Sequence, residues 1–365
     1  MGILSADEQT AIALRTLYQQ YGYRPYRVNS FEEYDLYARN KSFLTSEQIL
    51  TFGDADGKLM ALKPDVTLSI VKNTRDGDAP LKVSYAEHVY RVPRGGYSFK
   101  EIMQVGVEHI GTVDVYAMSE MLLLAARSLE AISARYALDV SDMGIVSGIL
   151  SGEALCDADR AALLSMISAK NAHGLHARCA ALGVSEQTEA LLAALIPLCG
   201  PLGDTLCELE RLPLPAACAG ALESLRAVAR MTQALGLAHI NLDFSVVNDM
   251  GYYNGLIFSG FVDGIASSVL SGGRYDLLMR RMGRHSEAIG FAVYLDQLER
   301  FAARREAFDV DTLVLYDGAA DPLAVAQAAQ AQTAQGRTVR VQPGDGGALR
   351  AREIIDLREG RKTPC

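Results

Sequence analysis

The stretch from Lys82 to Gly111 constrains the fold most. KVSYAEHVYRV and FKEIMQVGVEHIG are long runs of alternating Val, Ile and Tyr, with the loop PRGGYS between them. Two such strands around a glycine-bearing loop read as an antiparallel hairpin, so the chain is expected to build on an antiparallel sheet. LMAL upstream is another strand-like run, preceded by the turn GDADG. Ser5-Ala6-Asp7-Glu8 reads as a capping box for a helix carrying Leu14, Leu17, Tyr18 and Tyr21, which Gly22 stops before an extended segment from Tyr26 to Phe31. Residues 117–136 read as an amphipathic helix with Met118, Met121, Leu122, Ala125 and Leu129 on one face. From about 150 to 236 the chain is rich in Ala and Leu, lacks convincing strands and breaks at Leu212-Pro213-Leu214-Pro215. Strand and glycine signals return from Asp243 to Leu295. DTLVLY, a helix near 321–335 and TVRVQ then form a βαβ-sized piece before a tail, expected to be disordered, from Glu359. Strands, then helices, then strands indicate an α+β protein whose antiparallel sheet is interrupted by a helical insertion; the absence of regular βαβ alternation counts against a doubly wound fold. The expected organisation is a core in two parts, 1–145 and 237–308, around a helical insertion at 146–236, followed by a short α/β segment at 309–365.

Composition limits the function. With 49% hydrophobic and 22% charged residues the chain is of ordinary globular type, and a formal net charge of −9 makes it a poor dedicated binder of nucleic acid, which depends on Lys and Arg. No run approaches the ~18 apolar residues of a membrane span, and MGILSADEQTA lacks a basic leader region, so a cytoplasmic protein without membrane association is expected. Cys156, Cys179, Cys199, Cys207, Cys218 and Cys365 form no CxxC pair and have no histidines at ligand spacing, which points to reduced structural thiols and no metal. There is no P-loop, HExxH or GxSxG, and no cofactor is expected.

Three stretches carry polar groups suited to a small ligand. In FKEIMQVGVEHIG, Gln104, Gly106 and Glu108 share one strand face. That face is either a solvated surface with a glycine bulge or a gap in which an amide and a carboxylate read a small polar molecule. In LMALKPDVTLSIV, Lys63, Asp65 and Thr67 share strand parity; Asp65 and Thr67 either bind an ammonium group or cap a following helix. In DMGYYNGLIFSGFV, Gly251 and Gly255 flank Tyr252 and Tyr253, which form either a ligand wall or the core of a hairpin. SGGRYD, with Tyr275, is weak alone because glycine pairs usually mark turns.

Taken in order, these pieces resemble one family. AEHVYRVPRGGYSFKEIMQVGVEHIG resembles motif 2 of class II aminoacyl-tRNA synthetases in its histidine-specific form. LKPDVT resembles that family's amino-group segment, DMGYYNG its second histidine motif, and SGGRYD with AIGFAVYLDQLER the approach to motif 3. The collinear similarity covers roughly 1–300 and implies a class II synthetase-like antiparallel sheet flanked by helices, with a βαβ remnant at the C-terminus. It also implies a histidine pocket of Asp65, Thr67, Arg91, Gln104, Glu108, Tyr252, Tyr253 and Tyr275, with Arg91 standing at the arginine that grips the α-phosphate.

The departures fall on the chemistry. Pro93 stands where the family has an acidic residue, Asn248 (beside Asp249) and Gln297 where it has arginines, and Asn29 where motif 1 has a proline. Adenylation develops negative charge on phosphate, which fixed guanidinium groups stabilise and neutral amides do not. Losing two should cost several powers of ten, at ~10²–10³ per donor. The short C-terminus, about 55 residues after position 310, is similar to that of the synthetase-like regulatory subunits on which short-form ATP phosphoribosyltransferases depend. That likeness implies a non-enzymatic role in histidine biosynthesis, a homodimer through Leu14–Glu32, a catalytic phosphoribosyltransferase subunit as partner and histidine as feedback ligand. The competing expectations are a divergent synthetase-like enzyme that adenylates an amino acid or related substrate, and an interaction protein with another partner.

Overall fold

The computed structural model describes residues 5–44, 48–77, 79–92, 98–246, 253–296, 298 and 308–358. The chain falls into two compact units, residues 9–297 and residues 298–365 with 1–8. The tail from Glu359, Pro93, Asn248, Asp249, Tyr252 and Gln297 lie outside the described residues.

The capping box forms: the Ser5 amide and hydroxyl both donate to Glu8 Oε2, at 2.8 and 2.9 Å, and start helix α1 (Ala6–Gln20). Gly22, at φ +81°, then turns the chain, as a residue without Cβ does readily. Next come β1 (Arg24–Pro25), β2 (Phe31–Glu33), α2 (Tyr34–Arg39), β3 (Thr51–Gly53), β4 (Leu59–Leu62) and α3 (Thr67–Asn73). The long strands β5 (Leu81–Arg91) and β6 (Lys100–Gly111) form the expected hairpin, pairing Arg91 with Lys100 and Leu81 with Ile110.

Helix α4 (Val115–Ile132) is capped by Asp114, which accepts from the Ala117 amide at 2.8 Å, and buries Met121, Leu122, Ala125 and Leu129. It ends before position 136. Tyr136–Asp142 is instead strand β7, because YALDVSD alternates and pairs along β10 (Leu256–Val262) from Tyr136↔Val262 to Asp142↔Leu256. Asp142 caps α5 (Met143–Ile149). The middle of the chain is mostly helical: α6 (Asp157–Ser168), α7 (Ala172–Leu182), α8 (Glu186–Leu195), α9 (Leu202–Leu209) and α10 (Ala219–Ala234). It also holds a short strand, β8 (Cys199–Pro201), antiparallel to β9 (Ile240–Asp243), which the composition conceals because a three-residue edge strand leaves no periodicity.

With β11 (Leu270–Arg274) and β12 (Glu287–Tyr294), these strands form one nine-stranded sheet in the order β1-β5-β6-β12-β11-β10-β7-β9-β8. Only the β1–β5 and β7–β9 joins are parallel; β2-β4-β3 is a separate small sheet. The α+β class and antiparallel sheet read from the sequence are therefore those of the fold. Helix α11 (Asp276–Arg281) follows β11 directly.

In the second unit, β13 (Val310–Tyr316) and β14 (Val339–Pro343) flank α12 (Pro322–Thr333), which Asp321 caps and Pro322 opens. A further strand, β15 (Ala351–Asp356), completes a parallel sheet in the order β14-β13-β15, one strand more than the βαβ piece expected.

Candidate functional site

The LKPDVT segment is a junction between strand and helix. β4 ends at Leu62, so Lys63, Asp65 and Thr67 do not continue as one strand face; Thr67 opens α3, and Asp65 Oδ1 accepts the Leu68 amide at 2.9 Å. The capping role expected as one alternative is present. The same bend separates the three side chains. Lys63, 1% exposed, turns to Glu87 Oε2 at 2.5 Å and the Val28 carbonyl at 3.2 Å, while Thr67 turns to β6.

There the Thr67 hydroxyl donates to Glu108 Oε1 at 2.7 Å, and the Tyr275 hydroxyl, from the β11–α11 junction, donates to Glu108 Oε2 at 2.6 Å. Residues from three separate stretches thus meet on one carboxyl group, 2% exposed. It lies on the glycine of the neighbouring strand: Glu108 pairs with Gly290, and a Cβ at 290 would fall 1.7 Å from Glu108 Oε2. Burial pushes the Glu108 carboxyl up to about 8; the nearby Asp65 charge adds to the rise, and the two hydroxyls pull against it. Asp65 is raised by burial as well, against the pull of the Leu68 and Thr67 amides and the Arg91 guanidinium. Yet Asp65 keeps partial solvent access, a combination that suits a group on a cleft wall.

Neither alternative for the Gln104–Gly106–Glu108 face holds: it is buried rather than solvated, and the space at Gly106 is filled. Tyr85, paired with Gly106 across the hairpin, lays its ring there: a Cβ on Gly106 would meet Tyr85 Cζ and its hydroxyl oxygen at 2.5 Å. Gln104 and Glu108, both buried, therefore share their strand face with a tyrosine ring between them. Tyr85 feels the charges of Glu108 and Asp65 and neighbours Tyr253 and Tyr294. Tyr253 packs against the cluster that holds Tyr85 and Tyr275, its ring edge 2.8 Å from where a Cβ on Gly273 would stand. Arg91, 9% exposed, stacks over the Tyr294 ring at 5.6 Å.

Of the sequence candidates, Thr67, Glu108 and Tyr275 are in direct contact and Asp65 is coupled to Glu108 electrostatically; Gln104 shares β6 with Glu108, Arg91 lies on the paired strand β5, and Tyr253 packs against the cluster that holds Tyr275. Tyr85 and Gly290 were not singled out from the sequence. Counting outward from the PRGGYS loop would have found Tyr85 opposite Gly106; no local signal marks Gly290. Among the described residues no group of three His, Cys, Asp or Glu side chains is placed to hold a metal ion, and no helix is long and apolar enough to cross a membrane.

The sheet order and the motif-2-like hairpin within it define a protein of the class II aminoacyl-tRNA synthetase fold. Residues 4–298 match the family model described as histidyl-tRNA synthetase, and the chain belongs to that family. A relative from Acetivibrio thermocellus named ATP phosphoribosyltransferase regulatory subunit is 27% identical over 314 residues, covering 83% of this chain and 75% of the relative. The crystal structure of an ATP phosphoribosyltransferase regulatory subunit/histidyl-tRNA synthetase from Bacillus halodurans C shares the fold with a TM-score of 0.74 at 22% identity, covering 97% of this chain and 94% of that one. A chain of the ATP phosphoribosyl transferase HisG:HisZ complex from Thermotoga maritima shares it with a TM-score of 0.62 at 18% identity, covering 80% of this chain and 97% of that one.

Proposed function

We propose that this chain is a non-catalytic regulatory subunit of a short-form ATP phosphoribosyltransferase, acting at the first step of histidine biosynthesis. The observation that carries this reading is the relationship, over 83% of the chain, to a relative bearing that name. The sequence supports it from the side of chemistry. Asn248 and Gln297 replace the arginines that would stabilise a developing phosphate charge, while the acid at 108 and its two hydroxyl partners are kept. A site that binds an amino acid but does not activate it suits a sensor.

In this reading the partner is the catalytic phosphoribosyltransferase subunit, and the chain is a homodimer through the region Leu14–Glu32. Residues 146–236 are an insertion into the synthetase-like core, and 309–365 a shortened C-terminal segment. Asp65, Thr67, Arg91, Gln104, Glu108, Tyr253 and Tyr275 form a histidine pocket, with Tyr252 as a further member. The test is co-purification with a short catalytic subunit, followed by assays of its activity with and without histidine. The expected result is a stable complex, more active than the catalytic subunit alone, and no histidine-dependent ATP–pyrophosphate exchange by this chain. Exchange clearly above background would replace this reading with the divergent synthetase-like enzyme.

A further inference from the structure

The acid on which Thr67 and Tyr275 meet is buried without a cation paired to it among the described residues. Glu108 is 2% exposed, and among the described residues no Lys, Arg or His forms an ion pair with it. The groups that face it are hydroxyls and another acid. Thr67 comes from α3, Tyr275 from the β11–α11 junction, Tyr85 from β5, Tyr23 from the segment after α1, and Asp65 from the turn before α3. β12 contributes only Gly290 at this point. The nearest guanidinium effect, from Arg91, falls on Asp65. A carboxylate in such surroundings has lost its water without gaining a cation, and the favourable response is to hold a proton. The contacts allow it: at 2.6 and 2.7 Å to hydroxyls, which both donate and accept, either bond can reverse so that the protonated acid donates.

We propose that Glu108 is protonated in the empty pocket and passes this proton to the ring nitrogen of an imidazole-bearing amino acid, holding the ring as a cation. The inference rests on the reading of this pocket as a histidine site and adds the chemistry of its selectivity. The O–H bond of the acid breaks, an N–H bond on the ring forms, and no other reactant is needed. The pair that results, imidazolium beside carboxylate, gives Glu108 the cation that the protein does not provide. The ligand class is therefore an amino acid with a basic ring, and an isosteric ring of lower basicity is a poor substitute.

The affinity follows the shared proton. Burial holds the acid near 8 and a free imidazole titrates near ~6.5. Between these values free and bound states carry the same number of protons, and affinity is level. Above that range the empty pocket has lost its proton, and affinity falls about tenfold per pH unit.

The experiment takes the full chain and histidine labelled with ¹⁵N in its ring, alone and with Glu108→Gln as control. Infrared difference spectra between the two proteins at pH 7 should contain a carboxylic-acid carbonyl band, lost when histidine saturates the wild type. The ¹⁵N shifts of bound histidine, which need no variant, should be those of a ring protonated at both nitrogens. Calorimetric affinity should fall about tenfold from pH 8 to 9 in the wild type relative to Glu108→Gln, which cancels the titration of the ligand's own amino group. Triazolylalanine should bind the wild type at least tenfold more weakly than histidine. Histidine bound as a neutral ring, or an acid band that is absent at the outset or survives saturation, overturns the proton transfer and leaves the pocket standing. No heat and no shifted ¹⁵N signal at millimolar histidine overturns both.

Discussion

The sheet and the helix beside it hold two buried glutamates, and they are treated differently. Glu120, on α4 and 4% exposed, receives Lys82 Nζ at 2.6 and 2.9 Å and the hydroxyls of Tyr23 at 3.0 Å and Tyr116 at 2.9 Å. Glu108, on β6 and 2% exposed, receives two hydroxyls and no cation among the described residues. The first is a closed set: a charge taken out of water and matched by an opposite one, tying β5, α1's exit and α4 together. The second lacks only the positive partner. A buried charge without its counterpart is costly, and holding a proton removes that cost; in the proposed reading a ligand ring brings the missing charge.

The contrast can be broken at three points. The largest effect is expected at the matched acid. Lys82→Met strands Glu120 and should cost ~3–5 kcal/mol of unfolding free energy, as breaking a buried pair does. A loss below ~1 kcal/mol in urea titrations would mean that the pair is solvated, and the two glutamates would no longer differ in kind.

At the unmatched acid the sign reverses. Glu108 has its carboxyl raised on folding, so its contribution to stability is complete below the ordinary carboxylate range and is lost as pH rises towards about 8. Glu108→Gln has no such loss. Its unfolding free energy relative to wild type should therefore increase from pH 5 to pH 8, by ~1–3 kcal/mol, while histidine affinity drops by ~1.5–3 kcal/mol. Parallel urea curves at the two pH values and calorimetry read both; a variant less stable than wild type at pH 8 would contradict the picture of an uncompensated acid. Removing one donor is the smallest change. Thr67→Val keeps the shape of the α3 start and should cost ~1 kcal/mol, moving the pH-dependent loss of stability higher. An unchanged pH profile would show that Thr67 does not hold the carboxyl.

How far the site could be read from the sequence follows from the range of the interactions. The β5–β6 hairpin, the α1 cap and the start of α12 are local, and their residues announce them. So does the shared face of Gln104, Gly106 and Glu108, since a strand fixes parity. What fills that face does not: Tyr85 stands 21 positions away from Gly106, as the pairing shows, and only the register places its ring there. Parity also misleads at Lys63, Asp65 and Thr67, where the backbone leaves the strand at Leu62 and side chains two apart separate. The helix expected over 117–136 overruns by about a turn: α4 ends at Ile132, and pairing along β10 places Tyr136 at the start of β7. The insertion of β12 between β6 and β11 brings Gly290 under Glu108; no pattern within one segment contains it.

The contact between Gly290 and Glu108 binds two positions 182 residues apart, as their numbers give, into one heritable unit. Any side chain at 290 needs the space that the acid occupies, so a lineage that keeps Glu108 is confined to glycine on the facing strand. Shortening the acid alone does not release 290, because a Cβ there would still stand 2.5 Å from the Val107 carbonyl oxygen. Among descendants of this fold, a larger residue opposite position 108 is thus expected only where the acid is gone and the two strands have also moved apart.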